Sequence, residues 1–468
     1  MWAAWLSVWL ALAQDNSPKD ARPNIVFFFA DDQRADTIAA LGNGQIKTPH
    51  LDSLVKEGTS FNRAYIMGGL QGAVCVPSRA QMLSGKGLFR IQEQLKNTTT
   101  WPLVLRQAGY LTFATGKWHN GAPSLALAFP NARSIHLGGM SNQFGTPMGD
   151  MGPEGKLINQ RQPEAHCSEI FADEAITFLK QAPQGKPLAI YIAFKSPHDP
   201  RQAPKKFQDL YDPAKITLPA NYLPEHPFNN GELLIRDERL EKWPRSKAAI
   251  QKHLADYYAI ISHQDAQIGR VLEVLKKTGR FGNTVIVFAA DNGLAIGSHG
   301  LMGKQNVYEH SSRIPLVVAG PGVKKGARTD AFCYNFDLYP TFAELANAQV
   351  PKEVEGKSLV RVLRGETDAH RQVILTSYRG FMRGIRDGRW KLIVTMAINK
   401  KQLFDLQNDP EETKDLSSDP AHGETVARLT GLLELEQKEF GDSAPLRNEK
   451  PLPAKIDLSK VPPEGKKK

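Results

Sequence analysis

PNIVFFFADD, residues 23–32, is an apolar run of strand length that ends in two adjacent carboxylates. The absence of polar alternation within the run indicates a strand buried on both faces, as in a parallel sheet. Asp31 and Asp32 would then lie at the C-terminal end of this strand. In open α/β sheets that edge is where ligands bind, so two acidic candidates are expected there.

The same pattern occurs twice more along the chain. PLAIYIAF (187–194) leads into Lys195-Ser196-Pro197-His198, and TVIVFAA (284–290) leads into Asp291-Asn292-Gly293. Segments with helical periodicity precede these runs, at 171–181 and 247–277. Strands that alternate with helices predict a three-layer α/β domain. Polar residues from distant parts of the chain are therefore expected on one edge of its sheet.

Two long segments, 120–162 and 201–245, show no clear period and are rich in residues that break regular structure. Irregular segments of this length in a compact enzyme are usually binding loops or lids. We interpret both as walls of a substrate pocket. For any single residue in them, a plain surface loop is the alternative.

After residue 345 the pattern changes to short strand-like pieces followed by a helical segment. The strands are expected at 372–378, 382–386, 390–395 and 403–406, and the helix at 423–440. This order predicts a smaller antiparallel sheet with a helix. We therefore divide the chain into an α/β catalytic domain (22–345), a smaller C-terminal α+β domain (346–449) and a loose basic tail (450–468).

Residues 1–13, MWAAWLSVWLALA, form an apolar run that ends in small residues before polar Gln14. The run is too short to span a bilayer and has the ending of a signal peptide, although it contains no Lys or Arg. The alternative is a short buried segment. We expect an exported protein, periplasmic or extracellular. No integral membrane segment is expected, because no later apolar run is long enough.

The composition is that of a soluble globular protein, with 41% hydrophobic and 23% charged residues among 468. The formal net charge of +10 favours encounter with anions. No nucleic acid partner is expected, because the chain has no zinc-finger spacing, RNP-like motif or basic heptad helix. Three cysteines are too few for a disulfide framework, which leaves a single Cys167–Cys333 bridge as the alternative to free thiols.

The most specific motif is Cys75-Val76-Pro77-Ser78-Arg79, followed by Leu83-Ser84-Gly85. Taken alone, such a cysteine is usually just a buried thiol at the start of a helix. Further motifs accompany it in order: GKWH at 116–119, SPH at 196–198, DNG at 291–293, HGL at 299–301, GK at 303–304 and LFDL at 403–406. Together with residues 23–32 they resemble the sulfatases, which are arylsulfatase-like, formylglycine-dependent members of the alkaline-phosphatase superfamily.

The resemblance covers residues 22–416 and implies a large α/β sandwich with a smaller C-terminal sheet domain. It implies a sulfuric ester hydrolase in which a separate maturation enzyme oxidises Cys75 to formylglycine (3-oxoalanine). By the same resemblance, Arg79 and Lys117 hold the hydrated aldehyde, and His119 assists breakdown of the sulfated intermediate. Lys117, His198 and Lys304 would bind the sulfate. His198 or Lys304 would protonate the leaving oxygen, a transfer for which histidine is easily tuned.

A metal site is also expected from the chemistry of the residues. A sulfate ester is anionic, so its attack calls for a nucleophile beside a metal with cations around it. Asp31, Asp32, Asp291 and Asn292 offer only oxygen atoms, which suit Ca²⁺ or Mg²⁺ and disfavour Zn²⁺. Any one of them alone is more simply a solvated carboxylate or a helix cap, but four at the ends of two buried strands favour the metal. The modified Cys75 is expected to complete the ligand set.

Departures from the family pattern are few. Asn120 stands where a leucine commonly follows GKWH, Asn292 replaces a histidine that some members carry, and Met302 replaces a common tryptophan.

We expect a sulfated small molecule or glycan as substrate, and the charge and long loops favour a sulfated carbohydrate from outside the cell.

Two rival functions are a phosphatase or phosphodiesterase, with Ser or Thr beside two metals, and a catalytically silent protein that binds sulfated glycans. Cys75 and the oxygen-only ligands argue against the first rival. The filled catalytic positions argue against the second.

Overall fold

The computed structural model describes residues 22–458 and residue 461, so the predicted signal peptide lies outside the described residues. The strands, in chain order, are β1 (Asn24–Asp31), β2 (Gly58–Phe61), β3 (Ala64–Tyr65), β4 (Gly68–Gly69), β5 (Leu111–Lys117), β6 (Ala132–His136), β7 (Met148–Met151), β8 (Leu157–Arg161), β9 (Leu188–Pro197), β10 (Thr284–Ala290), β11 (Arg313–Ile314), β12 (Leu316–Ala319), β13 (Ala327–Thr329), β14 (Cys333–Tyr334), β15 (Ile374–Tyr378), β16 (Met382–Arg386), β17 (Trp390–Thr395) and β18 (Lys400–Asp405). The helices are α1 (Pro49–Glu57), α2 (Cys75–Ser84), α3 (Trp101–Gln107), α4 (Ala122–Ala128), α5 (Cys167–Gln181), α6 (Lys205–Gln208), α7 (Lys247–Lys277), α8 (Glu309–Ser312), α9 (Leu338–Leu345), α10 (Val360–Leu363) and α11 (Gly423–Phe440).

The large central sheet has the strand order β13-β2-β12-β10-β1-β9-β5-β6-β7-β8 among the described residues. Its middle strands, from β10 to β6, are all parallel. β1 lies between β10 and β9, and its apolar run is buried along its whole length. The C-terminal ends of β1, β5, β9 and β10 consequently meet at one edge of the sheet.

Helices cover both faces of this sheet. On one face, Phe27 of β1 packs against Trp101 of α3 and Phe342 of α9, with ring centroids 6.4 and 5.5 Å apart. On the other face, Phe113 of β5 stacks on Phe178 of α5 at 4.4 Å. Phe113 is out of phase with Phe27 in the register across the sheet, and neighbouring residues of a strand point to opposite faces. α7 packs on α5, and the predicted three-layer α/β sandwich is confirmed.

The C-terminal residues form a smaller sheet with the order β18-β17-β16-β15-β4. β15 to β18 are antiparallel and α11 packs on β16 and β17, as the sequence predicts. The sequence does not predict β4, in which Gly68 and Gly69 pair in parallel with Ser377 and Tyr378. Gly68 has a φ of +113°, and an added Cβ would collide with the Ser377 carbonyl oxygen. Glycine is therefore required at this contact.

Residues 120–162 are more regular than the sequence predicts. They contain α4, β6, β7 and β8, and these strands extend the central sheet at one end. β8 is largely exposed and is held by backbone pairing with β7, so it leaves little apolar periodicity in the sequence. Residues 201–245 contain only short helical turns, in agreement with an irregular segment.

The prediction of a loose tail from residue 450 is wrong for its described part. Leu452 donates its N–H to the Ala397 carbonyl at 2.8 Å, and the Ala454 carbonyl accepts the Asn229 N–H at 2.8 Å. Leu458 is buried in the main hydrophobic core. Ile456 and Val461 also pack against this core, and a prediction based on the lysines and prolines of the tail does not take such contacts into account.

Two smaller expectations can be compared with the structure. Cys75, Cys167 and Cys333 are all free and buried, so the alternative disulfide is not formed. Among residues 22–458, no helix combines the length and apolar character needed to cross a membrane.

Candidate active site

The C-terminal edge of the central sheet brings together every residue that the sequence analysis assigns to catalysis or to the metal. They are Asp31 and Asp32 at the end of β1, Lys117 and His119 at the end of β5, His198 after β9, Asp291 and Asn292 after β10, Cys75 and Arg79 of α2, and Lys304 of the loop before α8. All are buried except His119, which is partly exposed. They meet because parallel strands present their C-terminal ends at the same edge.

Cys75 is the first residue of α2 and is only 2% exposed. Its Sγ lies 3.3 Å from His119 Nδ1 and 3.7 Å from Lys117 Nζ. Burial raises the pKa of the Cys75 thiol. An unmodified cysteine here is therefore protonated at neutral pH and a poor nucleophile.

The start of α2 is fixed by hydrogen bonds from other segments. Asn120, one of the departures from the family pattern, donates its side-chain amide to the Val76 carbonyl at 3.0 Å. Ser78 donates its hydroxyl to the Asp291 carbonyl, and the Asn335 amide donates to Ser78 Oγ at 2.9 Å. Asn120 therefore positions the Cys75 segment, a role that its place in the sequence does not reveal.

The acidic residues form a buried cluster around Asp31. Potential ligand atoms of Asp31, Cys75 and Asp291 all lie within 4.8 Å of one another, and the same holds for Asp31, Asp32 and His198. Asp31 Oδ1 and Asn292 Oδ1 are buried and have no hydrogen-bond partner among the described residues. Buried oxygens without a partner are unfavourable unless a cation or water satisfies them. These residues therefore fit a hard divalent cation such as Ca²⁺ or Mg²⁺.

Arg79 joins this cluster from α2. It is fully buried, and its Nε donates to Asp291 Oδ2 at 3.0 Å while Nη1 donates to the Lys117 carbonyl at 3.0 Å. The guanidinium also lies over the Phe29 ring, 5.1 Å from its centroid. Arg79 thus holds the ends of β5 and β10 in fixed positions relative to Cys75.

Two lysines complete the positive side of the cluster. Lys117 donates to Asp31 Oδ2, and Lys304 donates to Asp32 Oδ1 at 2.5 Å. Burial alone would raise the pKa of Asp31, but the charges of Lys117, His198 and Arg79 hold that pKa well below its ordinary value.

Asp291 behaves differently from Asp31. Burial, together with the charge of Asp31, raises the pKa of Asp291 to about 7. A metal-free cluster therefore tends to retain a proton on Asp291.

The two histidines differ in their surroundings. Burial and the charge of Lys117 lower the pKa of His119 to about 2, so its ring is neutral. His198 Nδ1 lies 2.8 Å from the Asp199 carbonyl, and its Nε2 lies 3.6 Å from Asp32 Oδ2. With Nδ1–H donating to that carbonyl, Nε2 is the nitrogen that faces the cluster.

A cavity of about 330 Å³ opens onto these groups. Its lining includes Cys75, His119, His198 and Lys304 together with residues that no motif identifies: Gly139, Met140, Ile235, Arg236, Asp237 and Gln305. Arg236 donates to Asp199 Oδ1 at 2.9 Å, and Gln305 donates to Asp237 Oδ2 at 2.7 Å. Met140 and Asp237 come from the two long segments 120–162 and 201–245. The sequence predicts these residues only in so far as it predicts that the two segments form the walls of a pocket.

A family model described as sulfatase matches residues 23–348. The chain belongs to the sulfatase family. A second model, described as N-sulphoglucosamine sulphohydrolase, C-terminal, matches residues 297–439 of the sulfatase. The predicted resemblance and the enzyme class, a sulfuric ester hydrolase, are confirmed.

Relatives of the sulfatase include enzymes for different sulfate esters. It is 28% identical to an N-acetylglucosamine-6-O-sulfatase of Bacteroides thetaiotaomicron, over 93% of this chain and 90% of the relative. It is 26% identical to a choline-sulfatase of Rhizobium meliloti, over 88% and 86%. A solved structure in complex with D-glucosamine-2-N,6-O-disulfate superposes with a TM-score of 0.78 at 26% identity, over 92% of this chain and 100% of that one.

Proposed function

We propose that this sulfatase hydrolyses a sulfate ester of a carbohydrate, using a formylglycine made from Cys75 beside a bound Ca²⁺. The observation that carries the proposal is the position of Cys75, which lines a cavity of about 330 Å³ with His119 at 3.3 Å from its sulfur. A formylglycine hydrate at this position would supply the attacking hydroxyl and a second hydroxyl for release of the sulfate. The protonated thiol of an unmodified Cys75 would supply neither.

The proton transfers fall to the side chains around Cys75. His119 is neutral because its pKa is about 2, so its Nδ1 can accept a proton from a hydroxyl at the Cys75 position. Lys117 Nζ, 3.7 Å from the Cys75 sulfur, stabilises negative charge at the same place. His198 or Lys304, which also line the cavity, protonates the departing oxygen as the bond from sulfur to that oxygen breaks, which leaves an alcohol.

Asp31, Asp32, Asp291 and Asn292 would hold the Ca²⁺, with an oxygen of the modified Cys75 as a further ligand. The unpartnered oxygens Asp31 Oδ1 and Asn292 Oδ1 support this assignment. When bound, the cation supplies positive charge that stabilises the nucleophilic oxygen and the sulfate. Lys117 and Lys304 would then share their carboxylate partners with the cation, which leaves their ammonium groups available to the sulfate.

A carbohydrate substrate is supported by the relatives and by the cavity. One relative is an N-acetylglucosamine-6-O-sulfatase, and a similar solved structure holds a disulfated glucosamine. The cavity wall carries Arg236, Asp237 and Gln305, whose polar groups suit the hydroxyls of a sugar. The carboxylate of Asp237 is already paired with Arg236 at 3.0 Å and is less available to the cationic group of choline, so this wall favours a sugar over choline sulfate.

We also propose that the sulfatase is exported to the periplasm or the extracellular space, as the pattern of residues 1–13 supports. A formylglycine-generating enzyme would act on Cys75 as a transient partner. Sulfated glycans occur outside the cell, and the net charge of +10 favours their encounter with the protein.

A substrate panel and a peptide measurement test this proposal. We expect mass spectrometry of the native protein to find formylglycine at position 75, and kcat/KM to be higher for 6-O-sulfated N-acetylglucosamine than for choline sulfate or a chromogenic aryl sulfate. An unmodified Cys75 in an active preparation would overturn the formylglycine. A higher kcat/KM for the choline or aryl ester than for every sulfated sugar tested would overturn the carbohydrate.

A further inference from the structure

We infer that a groove beside the catalytic cavity binds a second, uncharged sugar unit, the one joined to the unit that carries the sulfate. This inference rests on the proposed carbohydrate substrate. The groove encloses about 730 Å³ and lies on β6, β7 and β8, the strands at one end of the central sheet. Cavities of some 300 to 1,000 Å³ are of the size that ligands occupy, so the groove is large enough for a sugar.

The groove adjoins the catalytic cavity. Met140, which is 50% exposed, lines both spaces. Of two consecutive glycines, Gly139 lines the catalytic cavity and Gly138 lines the groove. In the sheet register, His136 at the groove pairs with Lys117 of the catalytic cluster. A chain whose sulfated unit reaches Cys75 would therefore pass Met140 and enter the groove with its next unit.

The lining combines apolar surface with free amides. Leu137, Met148 and Leu157 supply apolar surface, while Gln160 and Gln162 are exposed on the rim. Neither glutamine side chain makes a hydrogen bond to any other described residue. Each amide offers two N–H donors and a carbonyl acceptor. A pyranose ring presents C–H groups on its faces and hydroxyls at its edge, so this lining matches both parts of a sugar.

The local charge argues for an uncharged sugar rather than a second sulfated unit. Arg161 lies in the lining, but its guanidinium is held by Asp150 Oδ1 at 3.2 Å and Glu174 Oε1 at 3.4 Å. Arg133 is likewise paired with Asp150, at 3.6 Å. Two arginines and two carboxylates cancel, and no other lysine or arginine lines the groove within the described residues. The one arginine of the lining is thus neutralised by its carboxylate partners and offers little attraction to an additional sulfate.

The test compares substrates of one and two sugar units. In the double variant Gln160→Ala/Gln162→Ala, we expect kcat/KM for a 6-O-sulfated N-acetylglucosamine linked to an unsulfated sugar to fall about tenfold, as the loss of two ordinary hydrogen bonds predicts. The same variant should keep its kcat/KM for the sulfated monosaccharide and for an aryl sulfate. Gln181→Ala, an exposed glutamine at the end of α5, is the matched control and should change none of these values.

The outcomes separate this inference from the proposed function. Loss on all three substrates in equal measure, or on none, would overturn the groove as a sugar site. The preference of the groove for an uncharged sugar would be overturned if a disaccharide with a sulfated second unit were turned over faster than the disaccharide with an unsulfated second unit. If the unaltered enzyme hydrolyses the aryl sulfate but no sulfated sugar, the proposed carbohydrate substrate fails and the inference fails with it. Thermal melting of the double variant checks that the fold is retained.

Discussion

Gly139 lies against the ring of His119, so closely that an added Cβ would sit 2.7 Å from His119 Nε2. The backbone of Gly139 is not in the left-handed region, and the three atoms nearest to an added Cβ all belong to the histidine ring. The absence of a side chain at this position keeps His119 next to Cys75.

Gly139→Ala should therefore displace His119 from Cys75 and lower kcat, on the order of tenfold, because catalysis is sensitive to small misplacements of reacting groups. Steady-state kinetics on a sulfated sugar would measure the effect. Gly380→Ala is the matched control, since nothing lies within 4 Å of an added Cβ there. Full kcat in Gly139→Ala would contradict the positioning role.

Glu238 is expected to hold the loop that carries Lys304. Its carboxylate accepts the N–H groups of Met302 and Gly303, each at 2.9 Å, and pairs with Arg245 at 2.7 Å. In Glu238→Gln the buried Arg245 loses its ion-pair partner, which should lower the free energy of unfolding by about 3–5 kcal/mol.

Urea unfolding would measure the loss in Glu238→Gln, and kcat/KM should fall as well because Lys304 follows Gly303 directly. Glu434→Gln, on the exposed face of α11, is a suitable comparison and should change neither quantity. Stability within about 0.5 kcal/mol of the unaltered protein, the range of ordinary surface substitutions, would refute the role of Glu238.

Calcium stabilisation should depend on pH. Asp291 has a pKa of about 7 in the metal-free cluster, raised from an ordinary value of about 4. A group with a raised pKa stabilises the folded state at low pH, and this contribution disappears as the pH rises through 7. Bound Ca²⁺ competes with the proton for the same carboxylate. The rise in melting temperature on adding Ca²⁺ to chelator-treated protein should therefore be small at pH 5 and large at pH 8.

Differential scanning fluorimetry in Ca²⁺ and in EDTA across this range would measure the effect. Asp265 serves as an internal comparison, because burial also raises its pKa to about 7. Its carboxylate accepts the N–H groups of His50 and Leu51, so its contribution to the pH dependence of stability should be the same with and without Ca²⁺. A calcium-induced shift that is the same from pH 5 to pH 8 would argue against Asp291 as a ligand.

Cys75→Ser should abolish turnover while the fold is retained, because serine fits the buried site but has a single hydroxyl, whereas the hydrate of formylglycine has a second hydroxyl that releases the sulfate. Activity on the preferred ester and the melting temperature would be measured together. Cys167→Ser is the matched control: Cys167 is also buried, its Sγ donates to Gln143 Oε1 at 3.2 Å, and a hydroxyl can replace that donor. Native turnover in Cys75→Ser would exclude the proposed chemistry.

The central sheet and the catalytic cluster could be predicted because their residues leave strong patterns. β1 and β10 are unbroken apolar runs that end in carboxylates, and α7 spans residues 247–277 as its periodicity indicates. β4 and β8 could not be predicted, since a pair of glycines and an exposed edge strand show no apolar periodicity in the sequence. The contact of Arg236 with Asp199 could not be predicted either, because no sequence motif includes these two residues.

The short strand β4 also has a consequence for when Cys75 can be reached during synthesis. Gly68 and Gly69, just ahead of α2, form a strand by pairing with Ser377 and Tyr378, which leave the ribosome much later. Until those residues have been made, the segment before Cys75 lacks its final anchor, and pairings between distant parts of a chain form late in folding. In the folded protein Cys75 is only 2% exposed, so little of its side chain is accessible to a second protein. An enzyme that modifies this thiol would therefore have to act before the C-terminal sheet assembles.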